Sequence, residues 1–313
     1  MAHNHNHDGH GAESKGRLKL VLGVIIVIMV AEIVGGIVSN SLALLGDAGH
    51  MLVDGLAILL SLFAITMAAR PATPSRTYGY HRVEIMAALA NGVTLVLVAA
   101  YIFYEAYQRF LDPPEVHAPL MLVIAAIGLV ANIAGILLLN GVGNGNLNVK
   151  AAFWHILGDA ISSVGVIVGG IIIAVTGIGI VDPIIAVAIG IIILIGAVRL
   201  VREATDILLE AVPKNVNVGE VVTLLKKIPG VDEVHDVHIW TITSGIHALS
   251  AHLMVEDQQV SDSSGIINEI NHELSERFNI THTTLQLECQ KCATCPVGVI
   301  CNLGRPEHMH EGG

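Results

Sequence analysis

Hydrophobic positions in this chain come in long blocks. Six apolar blocks, at about 19–39, 42–69, 83–110, 118–140, 150–176 and 180–202, are separated by short polar links. Each is long enough to cross the hydrocarbon core of a bilayer as a helix. The link around Asn40 is only a few residues long, which makes the first two spans a tight antiparallel pair. Small-residue stretches within the blocks (GGIVSNS, AALANG, VGGII, IGIIILIG) predict close helix packing in lipid. After Ala211-Val212-Pro213 the pattern changes to that of a small soluble domain. Residues 218–228 have helical apolar spacing and stop at Pro229-Gly230. Residues 234–242 and 246–255 are β-branched and apolar around Thr243-Ser244-Gly245, a hairpin signature. An amphipathic helix at 262–278 and a strand at 282–288 follow. This α-β-β-α-β order predicts helices on one face of a small sheet.

The chain therefore divides into a His-rich tail at 1–17, a six-span membrane domain at 18–205, a cytoplasmic domain at 206–288 and a Cys/His-rich tail at 289–313. The fold class is a membrane α-helical six-helix bundle with a C-terminal α+β domain. Composition agrees: 53% of residues are hydrophobic and 14% charged, unlike an ordinary soluble domain. The net charge of -11 argues against a nucleic-acid partner. Basic residues set the orientation. Lys15, Arg17 and Lys19 precede the first span; Arg70, Arg76 and Arg82 lie between the second and third; Lys150, Arg199 and Arg202 fall on the same side, with Arg109 alone opposite. The positive-inside rule then predicts a multi-pass protein of the inner or plasma membrane with both termini in the cytoplasm. The basic flank at 15–19 runs straight into a full span, which predicts no cleaved signal peptide.

Against this apolar background the ionisable residues stand out, because each is expensive in a membrane. Asp47, His50 and Asp54 fall within about 60° of one another on a single helical stripe. AAFWHILGDAISS repeats the His-x-x-x-Asp spacing with His155 and Asp159. Two imidazoles and two carboxylates from two helices make a tetrahedral, zinc-type ligand set. Asp47, one turn outward, reads as a carboxylate behind the ligands, on the exit path, or at the helix start. Asn91 and Asn132 read as hydrogen-bonding neighbours; Glu32 and Glu105 do the same or line a proton or water path.

Three stretches, SNSLALLGDAGHMLVD, TYGYHRVEIMAALANG and WHILGDAISS, together with VDP at Asp182 and VHDVHIWTITSG, resemble the cation diffusion facilitator family, its zinc-transporting branch in particular. The resemblance spans about residues 18–288. It implies a homodimer with a ferredoxin-like cytoplasmic domain that exports cytoplasmic metal against protons. His50, Asp54, His155 and Asp159 would form the transport site, and the His50 form is associated with zinc over cadmium. It also implies metal ligands at His235 and His252, which a hairpin places on adjacent strands, with Gln286 and Glu288 at further positions of that site. Arg82 and Glu210 fall where a membrane-to-cytoplasm salt bridge holds the dimer hinge. The family's metal site between spans two and three is poorly matched, and none is expected there.

Cys289, Cys292, Cys295 and Cys301 lie within thirteen positions of the tail. Their spacing suits zinc first, an unliganded reduced tail second and an iron–sulfur cluster third. His3, His5, His7 and His10 give the other tail a metal-attracting composition.

The expectation is a proton-coupled zinc exporter, not an enzyme, whose partners are divalent metal ions, protons, lipid and a second copy of itself. Zinc is its substrate and a bound regulatory ion. Two His and two Asp disfavour calcium and magnesium, and spans without a thiol or Met cluster disfavour Cu(I). Cadmium and cobalt fit by ligand type. A non-transporting metal sensor would not need four ionisable groups in two spans. An intramembrane metalloenzyme would need an open coordination position and a general base.

Overall fold

The computed structural model describes residues 26–139 and 147–289, together with Gly23; side chains at 65, 138–139 and 147–155 lie outside that description. It forms two compact units. One comprises the described residues through Leu62 with Ala88–Val201; the other comprises Phe63–Ala87 with the described residues from Arg202 onward.

In the first unit the apolar blocks are helices. They are α1 (Ile26–Ser39), α2 (Leu42–Ala68), α3 (Arg82–Leu111), α4 (Ala118–Leu139), α5 (Leu147–Thr176) and α6 (Val181–Leu208). Helices α2 to α6 are long and apolar enough to cross a membrane, and α1 is a shorter apolar helix among the described residues. One buried cluster draws Leu44, Ile102, Met121, Val166 and Ile189 from five helices. Val27, Leu97, Val130, Val175 and Ile192 point outward, an apolar surface that suits lipid. The small residues permit close approach as expected: a Cβ on Gly92 would come within 2.8 Å of the Val201 side chain and 3.3 Å of its backbone nitrogen.

Asn40, in a left-handed conformation (φ 56), turns the chain between α1 and α2. The first N–H groups of α2, which are buried, are met from another helix. Asp182, fully buried in the first turn of α6, accepts from Leu42 N at 2.6 Å, Ala43 N at 3.2 Å and Ser41 Oγ at 2.6 Å. The remaining charge faces Arg109 Nη1 at 3.4 Å, which also donates to the Asn40 carbonyl at 2.6 Å. Glu105, one turn before Arg109, pairs with its Nε at 3.2 Å. Arg109, which stands apart from the other basic residues in the sequence pattern, is thus a buried member of an ion network.

In the second unit, α7 (Val218–Leu225) and α8 (Val260–Phe278) pack on β1 (Glu233–Thr243), β2 (Ile246–Met254) and β3 (Ile280–Glu288). The sheet order is β1-β2-β3, with β1 antiparallel and β3 parallel to β2. A parallel neighbour requires a crossover, and α8 supplies it. Asn217 caps α7 by accepting from Gly219 N at 2.8 Å. Asn279 ends α8 at φ 54 and donates to the Gly245 carbonyl at 3.0 Å, tying β3 to the hairpin turn. The core is Val221, Leu225, Ile239, Leu249, Leu253, Ile270 and Leu274.

The segment Phe63–Ala87 docks on this domain. Glu84 accepts from Thr243 Oγ1 at 2.6 Å and Ser244 Oγ at 2.8 Å, so one carboxylate holds the hairpin turn. The Tyr78 ring stands edge-on to His282 at 5.6 Å. These contacts secure the residues from which α3 leaves for the membrane unit.

Candidate metal sites

Within the membrane unit, the Asp47 stripe lies on α2 and the second motif on α5. His50 Nε2 is 3.4 Å from Asp54 Oδ2, and both side chains are partly buried. Asp47 is buried and accepts from Ser162 Oγ of α5 at 2.7 Å. That bond ties the two motif-bearing helices together. Asp159 is buried on α5 and interacts electrostatically with Asp47 and with the buried Glu32 of α1. Glu32 needs room: a Cβ on Gly128 would come within 2.8 Å of its Oε1. His155 falls within α5, but its side chain is outside the described residues. His50, Asp54, Asp47 and Asp159 therefore lie on facing helices. Sequence reasoning does not link Ser162 or Glu32 to Asp47, because both stand on other helices.

Among the described residues of the other unit, His235, His252 and Glu288 present ligand atoms all within 4.8 Å of one another. His235 and His252 are cross-strand partners, with rings 5.3 Å apart. Glu288 lies between them, with Oε2 3.3 Å from His235 Nε2 and Oε1 2.9 Å from His252 Nδ1. Neither Glu288 Oε2 nor His252 Nδ1 makes a well-formed hydrogen bond, although both are buried. Two imidazole nitrogens and a carboxylate, with His252 Nδ1 and Glu288 Oε2 lacking hydrogen-bond partners, fit a zinc-type ion. Gln286 donates to Glu288 Oε1 at 2.8 Å and so steadies that carboxylate. By contrast, His247 is buried against Thr241 at 3.2 Å, and burial holds its pKa below the ordinary value, so it stays neutral in the core.

Arg82 Nη2 meets Glu210 Oε1 at 2.6 Å, and Glu210 itself has a left-handed backbone (φ 60). Cys289 is exposed, while Cys292, Cys295 and Cys301 lie outside the described residues, as do His3, His5, His7 and His10.

Carboxylates buried among apolar helices point to a carrier of cations rather than of neutral solutes. The chain belongs to the cation efflux family: the Cation efflux transmembrane domain matches residues 18–209, and the Cation efflux protein, cytoplasmic domain matches residues 213–290. It is an integral membrane transporter of metal cations and not an enzyme. It is 41% identical to the cadmium, cobalt and zinc/H(+)-K(+) antiporter of Bacillus subtilis, over 93% of each chain. It is 37% identical to the zinc transporter ZitB of Escherichia coli, over 99% of each. The metal-bound C-terminal domain of the CzcD transporter from Cupriavidus metallidurans is 37% identical over 23% of this chain and 99% of its own, with a TM-score of 0.22.

Proposed function

We propose that this protein, as a homodimer, exports zinc from the cytoplasm in exchange for protons, using His50, Asp54, His155 and Asp159 in turn from each side of the membrane. The observation that carries the reading is the Ser162–Asp47 bond, which sets α5 against α2 at the level of the two motifs. Relatives that are named antiporters for zinc, cadmium and cobalt support the same substrate class. Zinc binds deprotonated carboxylates and neutral imidazoles, so loading the site releases protons, and protons arriving from the other side displace the metal. One site with alternating exposure is sufficient for exchange. The basic flanks put both termini in the cytoplasm, so the C-terminal domain meets cytoplasmic zinc. His235, His252 and Glu288 hold a resident ion there; two imidazoles and a carboxylate leave that ion room for one further ligand.

Zinc flux into proteoliposomes, read together with internal pH, tests the exchange. Zinc movement with no opposing proton flux at any pH would remove the proton coupling and leave the carrier.

The Arg82–Glu210 pair is exposed and worth little to stability, so its expected contribution is to coupling. Arg82→Ala or Glu210→Ala should slow transport several-fold with an unchanged melting temperature. The double variant should lose little more than either single one. Strictly additive losses would argue against an interlock.

The tails act at a distance from the spans. Deleting residues 1–17 and 289–313 should leave the maximal rate nearly intact and raise the zinc concentration needed for half-maximal flux, because tethered ligands raise local metal supply. A folded but inactive tail-less protein would contradict that peripheral role.

A further inference from the structure

The alternation of β1 breaks at one residue. Val234, Val237 and Ile239 are buried, so between Val234 and Val237 two residues face outward where one is expected. The pairing with β2 shifts register at the same place, between His235 and His238, and the extra residue is Asp236, with a left-handed backbone at φ 49. A non-glycine residue at positive φ costs free energy and marks a functional position more often than a random one. Bulges commonly re-aim a side chain beside a site. Without the bulge, Asp236 would point into the core. With it, His235, Asp236 and His238 share the outer face of the sheet.

The Asp236 carboxylate lies on the far side of the His252 ring from Glu288. Its Oδ2 is 3.6 Å from His252 Nε2, while His252 Nδ1 faces Glu288 at 2.9 Å. Its Oδ1 is held by His238 Nε2 at 3.0 Å. An imidazole can offer a metal only the nitrogen that carries no proton, and the opposite N–H is normally given to a carboxylate or carbonyl that fixes both tautomer and ring angle.

We propose that Asp236 is the positioning residue of the C-terminal metal site: it closes on His252 to accept a hydrogen bond from Nε2–H, leaves Nδ1 free for the ion beside His235 and Glu288, and is itself steadied by His238. This rests on the reading of His235, His252 and Glu288 as ligands. The strained bulge exists to bring a fourth polar group, one that orients rather than ligates, to a site that three strands build. Because the αL backbone is intrinsic to Asp236, substitution by residues that tolerate positive φ separates the carboxylate from the bulge.

The test uses the full-length chain carrying Asp54→Ala, Asp159→Ala and Ser at the four Cys positions, so that zinc at the C-terminal site dominates. Zinc is titrated against a chromophoric chelator, cobalt(II) absorption is recorded, and the metal-free melting temperature is measured. His252→Ala and Glu288→Gln should remove the bound zinc; if they bind as the parent does, the ligand reading itself falls. Asp236→Gly and Asp236→Asn should weaken zinc about tenfold or more, change the cobalt spectrum, and leave the metal-free melting temperature equal or higher. His252→Ala losing zinc while both Asp236 variants keep the parent's affinity and cobalt spectrum overturns the proposal. An equal fall in metal-free stability in both variants also overturns it, in favour of a role for Asp236 in the bulge alone.

Discussion

Asp159→Ala, and separately Asp54→Ala, is expected to abolish zinc flux and zinc-driven proton movement together. In the proposed cycle both ions use the same groups, so no variant of these two residues should retain one movement without the other. The expected loss exceeds the roughly 10–100-fold that follows from changing a residue that only supports a metal ligand. A four-ligand zinc site that loses a carboxylate also loses the charge that offsets the ion in a medium where a bare divalent cation is prohibitively costly. Asp159 is the sharper test, because it is buried on α5, whereas Asp54 is partly open and beside His50 at 3.4 Å. Transport in proteoliposomes, with circular dichroism to confirm folding, is the measurement. Near-native zinc flux by folded Asp159→Ala would withdraw the site. Ser162→Ala should cost much less, since it removes a tie between helices and leaves all four proposed ligands in place.

The same comparison shows what could be read from the sequence. Apolar block length is a one-dimensional property, so four spans come out within a few residues of α2 to α5, while the last block, ending at 202, stops short of the end of α6 at Leu208, where charged residues enter the helix. The His-x-x-x-Asp pairs are equally visible, because an ionisable residue among twenty apolar ones needs no partner to attract notice. The strands of the C-terminal domain follow from β-branched runs, and the His235–His252 pairing follows from the hairpin. What escapes is whatever depends on a partner distant in sequence. Glu288 reaches the His235–His252 pair only because α8 carries the chain across to lay β3 parallel to β2; the family resemblance implied that residue, and the residue pattern alone did not. Glu84 meets the hairpin turn from about 160 positions away. The bulge at Asp236 leaves no mark in composition: Asp in a strand reads as a surface residue, and only the backbone angle and the broken burial pattern show that it has been turned outward.

Asp182 belongs to the same group of long-range contacts, and its removal should be the most destabilising single change in the bundle. Asp182→Ala would leave the Leu42 and Ala43 N–H groups, the Ser41 hydroxyl and the Arg109 guanidinium facing an apolar space. Losing a helix N-cap alone costs about 1 kcal/mol. Leaving a buried charge uncompensated costs on the order of 3–5 kcal/mol. Arg109 softens the second figure, because it keeps the Asn40 carbonyl and Glu105. A total of roughly 3 kcal/mol follows, seen as a clear drop in melting temperature in detergent and in yield of folded protein. Asp182→Asn should lose less, since its amide oxygen still accepts from the start of α2. Arg109→Ala in the Asp182→Ala background should recover part of the loss, because it removes the charge that the first change stranded. If Asp182→Ala melts within about a degree of the parent, the network is only a consequence of helix packing. The start of α2, five residues before Asp47, would then need another source of rigidity.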